Sequence, residues 1–266
     1  IMEFLALGDF ITYVLAGAGV GFAVGVTGVG GGSLMTPLLI LFGFPTHIAI
    51  GTDLIYAAAT KASGVISHAK QSTVNWQIVF RLGLGSIPAS LVTVYMLKNH
   101  FGDPSSYQHI LLTVLGCMLI MTALVILIKP RLTRSFNLSS NERHKLKKYQ
   151  GLLTVFAGFI LGICVTLTSV GAGAFGAAVL MMLYPRLNPV TIIGTDIAHA
   201  VPLTLIAGLG HMQLGNVDFV LLISLLVGSI PAIHFGSKLS KKLPSEILQP
   251  ILASILLIIG VKYAIF

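Results

Sequence analysis

Asp53 and Asp196 are the acidic residues that sit deep in apolar stretches of the chain. A lone carboxylate in hydrocarbon is costly, so such a residue faces a protein interior. There it can take up a proton, ligate an ion or cap a helix. Each closes a Gly-Thr-Asp triplet, Gly51–Asp53 and Gly194–Asp196. His199 follows Asp196 by three residues, which puts both side chains on one helix face. Such an acid–imidazole pair can pass a proton. The first triplet has Tyr56 at that place, so any relay is one-sided. Lys61 also lies well inside an apolar run. It can snorkel to the interface, pair with Asp53 or Asp196, or meet an anion.

The second chemical feature is glycine. Gly28-Val29-Gly30-Gly31-Gly32-Ser33 precedes Pro37, and Ser169-Val170-Gly171-Ala172-Gly173-Ala174-Phe175-Gly176 has the same character. Small residues let membrane helices approach closely, but glycines this dense also weaken a helix. A break there frees backbone N–H groups, with the positive end of a half-helix behind them. Such a site holds an anion without needing a side-chain charge. The candidate substrate-lining residues are therefore Gly28, Gly30, Gly31, Gly32, Ser33, Thr52, Lys61, Ser169, Gly171, Gly173 and Thr195. Asp53, Asp196 and His199 are the candidates for proton coupling.

These residues need membrane helices to position them. The chain has 266 residues, 55% hydrophobic and only 9% charged, with mean hydropathy +0.95. A soluble surface carries about 25% charge, so a soluble enzyme, a nucleic-acid module and a disordered chain are excluded. The 29 glycines and 8% aromatics also argue against a β-barrel with aromatic girdles. An all-α, polytopic membrane protein in contact with the lipid bilayer remains. Apolar runs cover 6–26, 46–69, 75–97 and 106–128, then 150–170, 189–212, 217–237 and 245–265. The Gly-rich segments 28–44 and 171–186 reach only about 24 Å as helix, short of a bilayer core of about 30 Å. They are expected to be broken half-helices. The first run lacks a basic leader, so no cleavable signal peptide is expected. Cys117 and Cys164 lie in apolar runs and make neither a disulfide framework nor a metal motif; no metal or other cofactor is expected.

The chain is an internal duplication. A shift of 143 residues brings Ile50-Gly51-Thr52-Asp53 onto Ile193-Gly194-Thr195-Asp196, His68 onto His211 and Gly85-Ser86-Ile87-Pro88-Ala89 onto Gly228-Ser229-Ile230-Pro231-Ala232. Generic apolar similarity would match Leu and Val rather than these polar and Gly-Pro positions. The expected organisation is an N-terminal repeat over 1–129, a basic cytoplasmic linker over 130–148 and a C-terminal repeat over 149–266. Seven of the 16 Lys and Arg lie between Lys129 and Lys148, which places that loop on the cytoplasmic side. If 28–44 and 171–186 cross, the halves are inverted and Lys70, Arg186, Lys238, Lys241 and Lys242 also face the cytoplasm. A re-entrant hairpin is the rival reading.

At these residues the chain resembles the TauE/SafE family of membrane anion permeases, the sulfite exporter type. The resemblance rests on Gly25 to Gly32 before Pro37, on Gly51-Thr52 and on His68 and His211 with the Asn75 and Gly215-Asn216-Val217-Asp218 turns after them. The Gly-Ser-Ile-Pro-Ala repeats complete it. It covers nearly the whole chain and implies a small anionic substrate such as sulfite or a sulfonate, a non-enzymatic permease, and the cell inner membrane. The second half departs from the pattern, with Gly171-Ala172-Gly173-Ala174 in place of consecutive glycines and Leu180 in place of Pro37. The half-sites are therefore expected to be unequal.

Three functions fit the residues. In a secondary oxyanion transporter, Asp53 and Asp196 would repel the substrate unless protonated, which makes the proton the expected coupling ion. In a cation or proton transporter the same carboxylates and broken-helix carbonyls would coordinate the ion. An intramembrane aspartyl protease would use the two carboxylates to activate water, but typical Gly-x-Gly-Asp signatures are replaced here by Gly-Thr-Asp.

Overall fold

The computed structural model describes residues 2–27, 32–101, 104–135, 140–239 and 245–265. The first half contributes α1 (Met2–Thr27), α2 (Gly32–Leu41), α3 (Thr46–Lys70), α4 (Trp76–Met96) with a π-helical turn at Leu97–Phe101, and α5 (Pro104–Ser135). The second contributes α6 (Ser140–Thr168), α7 (Ala174–Leu183), α8 (Pro189–Gln213), α9 (Phe219–Leu239) and α10 (Ser245–Ile265). No strand occurs among the described residues. The helices Trp76–Phe101, Ser106–Ile128, Tyr149–Thr168, Pro189–Gln213 and Phe219–Leu239 are long and apolar enough to cross a membrane. α3 has 25 residues, roughly 37 Å of helix. Its polar Thr52, Asp53 and Lys61 are all buried in the interior.

α5 and α6 extend into the basic 130–148 stretch, to Ser135 and back to Ser140. That stretch was expected as a linker between helices. Lys, Arg, Glu and Leu are good helix formers, so both helices continue past the apolar segment into this stretch.

Small residues set which helices touch. A methyl at Gly158 or Gly162 of α6 would fall on the Leu82 or Ser86 carbonyl of α4, and one at Gly17, Gly21 or Gly25 of α1 on the Leu225, Ser229 or Ile233 carbonyl of α9. These four-residue spacings are small-residue seams. The numbering rises together on both sides, so α1 runs parallel to α9 and α4 parallel to α6. Equivalent helices behave differently. Gly64 of α3 faces Ile197 of α8 while Ile55 faces Gly208, and Gly116 of α5 meets Ala264 of α10 while Ile120 meets Gly260. α3 and α8 therefore cross antiparallel, as do α5 and α10. Further contacts come in matched pairs, such as α2 with α3 and α7 with α8, or α5 with α7 and α10 with α2.

α3 and α8 form the centre, where Ile50, Leu54, Ala200, Leu203 and Ala207 share one buried cluster. α4, α6 and α9 turn large apolar side chains outward, among them Phe80, Leu84, Leu152, Phe156, Phe219 and Phe235. An exposed apolar belt of this kind suits lipid rather than water.

The two halves also clamp each other reciprocally. The Asp218 amide donates to Thr52 Oγ1 at 3.1 Å, and the Asn75 amide donates to Thr195 Oγ1 at 2.9 Å. Asn75 and Asp218 are themselves caps, accepting from the amides of Ile78 and Leu221. Gly51 lies against the Asn216 carbonyl and Gly194 against that of Thr73, where no Cβ fits. Thus the Gly-Thr of each triplet fastens a central helix to the other half's helical hairpin, and the following Asp is carried inward.

Candidate functional site

The site is built on the break between α6 and α7. α6 ends at Thr168, and Ser169–Gly173 are not helical. Three backbone positions force the turn. Ser169 has φ 59, Gly171 φ 123 and Gly173 φ 141, all in the region that L side chains rarely adopt. Glycine accepts this freely; a serine held there costs of order 1–3 kcal/mol. The break still satisfies part of its backbone. The Ser169 amide donates to the Val165 carbonyl at 2.7 Å and the Gly176 amide to that of Gly171 at 2.9 Å. The Val170 amide donates to Thr168 Oγ1 at 3.1 Å.

This segment runs between the two carboxylates. At one end the Ser169 hydroxyl faces Asp53, close enough to interact but without a well-formed hydrogen bond. At the other end the Gly173 amide faces Asp196. Asp196 also packs against the first turn of α7, where a methyl on Gly176 would clash with its Oδ1. Between them, Lys61 Nζ donates to the Ala172 carbonyl at 3.0 Å. Lys61 is only 8% exposed, so it does not snorkel. Its ammonium lies in the field of both carboxylates.

Asp53 has a different environment from Asp196. Its Oδ2 accepts from the Thr36 hydroxyl at 2.5 Å and from the Thr36 amide at 3.2 Å. Thr36 lies on α2, so the carboxylate pins that half-helix to α3. On the opposite side His199 Nε2 lies 2.8 Å from Ser86 Oγ of α4. The repeat pairs Tyr56 with Ser229 in the equivalent place, and these two face each other without a well-formed hydrogen bond.

Around the break, Asp53 Oδ1, Asp196 Oδ1, His199 Nδ1 and Ser169 Oγ are buried without a well-formed hydrogen bond. Buried polar groups in native proteins are almost always hydrogen-bonded, so this concentration marks where a polar ligand belongs. The chemistry on offer is mixed. Lys61, the Gly173 amide, the Ser169 hydroxyl and the positive end of α7 suit an oxyanion. The free carboxylate oxygens suit a proton or a cation.

Of the residues expected from sequence, Lys61, Ser169, Gly171, Gly173, Asp53, Asp196 and His199 come together around the break. Thr52 and Thr195 stand apart, their hydroxyls at the two interlocking clamps. Gly28, Gly30 and Gly31 lie outside the described residues, and Gly32 and Ser33 are described only as the backbone that opens α2. Thr36 and Ser86 escaped sequence reasoning. Thr36 has only its place before Pro37 to mark it; Ser86 could have been found from its position in the repeated Gly-Ser-Ile-Pro-Ala. His211 is a structural residue. Its Nε2 donates to the Thr166 carbonyl at 2.9 Å and its Nδ1 lies 3.2 Å from Asn216 Nδ2. The carbonyl fixes the proton on Nε2, and the ring joins α8 to α6. At the far end of α2, a cavity of about 450 Å³ between the α2–α3 turn, α5 and α10 carries Lys262, Gln108 and Thr46 on its wall.

An all-helical, multi-pass core with a broken helix and buried charges at its centre is the architecture of a membrane transporter, and the known relatives agree. The chain is 39% identical to the probable membrane transporter protein YjnA of Bacillus subtilis, over 95% of this chain and 98% of that protein. It is 29% identical to the probable membrane transporter protein YdhB of the same organism, covering 90% and 96%. With the probable membrane transporter protein MJ0441 of Methanocaldococcus jannaschii it shares 28%, covering 91% of each. The family model described as Sulfite exporter TauE/SafE matches residues 13–263, and the chain belongs to that family. No solved structure matches it.

Proposed function

We propose that the protein is a proton-coupled secondary transporter of a small oxyanion, such as sulfite or an organosulfonate, in the cytoplasmic membrane. Its two halves work as inverted repeats. The observation that carries this reading is Lys61, buried with its Nζ on the Ala172 carbonyl at the head of α7. A buried lysine amine, a glycine amide and a half-helix N-terminus converge on one polar break. Backbone donors of this kind recognise an anion with little regard for the rest of the molecule. Antiparallel packing of the equivalent helices α3 and α8 supports the inversion. The carboxylates on either side repel an anion while ionised, so uptake of a proton accompanies its binding.

Two observations weigh on the alternatives. The unpartnered Oδ1 atoms of Asp53 and Asp196 favour a second reading, cation or proton transport. A protease dyad is disfavoured by spacing. Asp196 adjoins Ile197, which faces Gly64, and Asp53 lies 11 residues from Gly64 along α3, about 16 Å of helix rise. Such carboxylates cannot share one water.

The test is uptake of labelled sulfite, sulfate, thiosulfate and small sulfonates into proteoliposomes, with and without a pH gradient. Saturable uptake of one of these, accelerated by the gradient and lost in Lys61→Met, supports the reading. Uptake of an alkali cation with no response to any anion supports the second reading instead.

A further inference from the structure

The two aspartates occupy equivalent places in the repeat, and they are held differently. Asp53 Oδ2 has two donors from a single residue of α2, the Thr36 hydroxyl and amide at 2.5 and 3.2 Å. Those donors are fixed by the half-helix itself. Two hydrogen bonds to one oxygen favour the ionised carboxylate, and losing them would free α2.

Asp196 has no such side-chain donor. Its Oδ1, like that of Asp53, is without a partner, and the residue is 2% exposed. What it faces instead is the Gly173 amide, at the cap position of α7, and the Gly176 Cα in the first turn. Lys61 supplies the opposing charge from α3. These are the groups the previous section assigns to the substrate anion. The carboxylate therefore sits where an oxyanion would sit, and two anions cannot share one amide and one ammonium.

The surroundings offer little else that titrates. The break presents the Gly173 amide to Asp196, and His68 of α3 lies against Gly194, its Nδ1 2.8 Å from Thr73 Oγ1. The helix of Asp196 itself adds His199, whose Nε2 is engaged with Ser86 of α4. From α3 comes Lys61, with Asp53 on its far side.

We infer that Asp196 is a tethered stand-in for the transported anion: it must be protonated and leave the head of α7 before a free oxyanion binds there, whereas Asp53 stays ionised as the latch that holds α2. Coupling is then carried by one of the two aspartates, with one proton per anion at this half-site. The proton goes onto Asp196, so that the site's net charge is unchanged on binding a monoanion, and the anion takes over the Gly173 amide and the Lys61 ammonium. Gly176 is needed because any side chain there would push the carboxylate off the helix. This inference rests on the anion reading above.

The experiment measures equilibrium binding to the purified full chain in detergent from pH 5 to 8.5. The probes are methanesulfonate and sulfate, whose charge does not change over that range. Wild-type affinity for the bound probe is expected to fall about tenfold per pH unit at the alkaline end, the slope of one linked proton. Asp196→Asn should abolish that slope and bind the probe more tightly than wild type at pH 8.5. Asp53→Asn should keep the slope. A second measurement covers the case in which Asp196→Asn does not fold. Probe binding to wild type in weakly buffered solution should take up close to one proton per anion. Binding with no proton uptake, a wild-type slope in Asp196→Asn, or loss of the slope in Asp53→Asn would overturn the inference and leave the anion reading standing. If wild type binds neither probe at any pH, while an alkali cation binds with a dependence on Asp196, the anion reading falls and this inference falls with it.

Discussion

Replacing Thr36 by Val tests whether a carboxylate fastens the half-helix α2. The change keeps the shape of the side chain and removes one donor, the hydroxyl 2.5 Å from Asp53 Oδ2. Both residues are fully buried, so the loss is not made good by solvent. A hydrogen bond to a charged group contributes about 1.5–3 kcal/mol, against about 0.5–1.5 kcal/mol for a neutral pair. Thr36→Val should therefore destabilise the fold by about 2 kcal/mol, the amide bond at 3.2 Å surviving. In an Asp53→Asn background the same substitution should cost about 1 kcal/mol or less, because the acceptor no longer carries charge. The difference is the coupling energy of a double-mutant cycle. SDS-titration unfolding in mixed micelles, followed by far-UV circular dichroism, reads all four proteins. If Thr36→Val lies within about 0.5 kcal/mol of wild type, or costs the same with and without Asp53, the latch is not formed and the asymmetry between the aspartates loses its basis.

Other expectations follow from particular contacts. Gly176→Ala places a methyl on Asp196 Oδ1; overpacking of this kind costs about 1–3 kcal/mol, and because the displaced carboxylate no longer competes for the Gly173 amide, anion binding to the folded variant should depend less on pH than in wild type. Thr52→Val and Thr195→Val each leave a cap amide without its acceptor, at about 1–3 kcal/mol apiece. Because the clamps lie at opposite ends of the crossed pair, the two losses should add in the double variant, as judged by the same unfolding assay. Cysteines placed at Ser139 and Ser240 should both be labelled from the cytoplasmic side only, since basic residues cluster beside each; opposite sidedness would contradict inverted halves.

Much of this architecture was legible in the sequence because the constraint of the bilayer is severe. Backbone groups in lipid must bond internally, so long apolar runs had to be helices, and Gly171 and Gly173 marked where one would break. Asp53, Asp196 and Lys61 announced themselves by being charged where charge is costly. The role of Thr52 and Thr195 was not legible. Their position beside the aspartates suggested substrate contact, and only the three-dimensional crossing of α3 and α8 reveals that their hydroxyls reach the opposite half. Thr36 was invisible for the same reason: nothing local distinguishes a threonine that bonds a distant carboxylate from one that bonds its own helix. The helical extensions into 130–148 are not legible in the sequence, because Lys, Arg and Glu suit a solvated loop and a solvated helix alike.

The most direct measurement is an experimental structure of the protein soaked with selenate, located by the anomalous signal of selenium. The expected result is a peak at the break between α6 and α7, within hydrogen-bonding reach of the Gly173 amide and Lys61 Nζ, with the Asp196 carboxylate displaced from Gly176. Selenate bound elsewhere with the break unoccupied, or a cation held at Asp53 or at Asp196, would contradict an anion site at the head of α7.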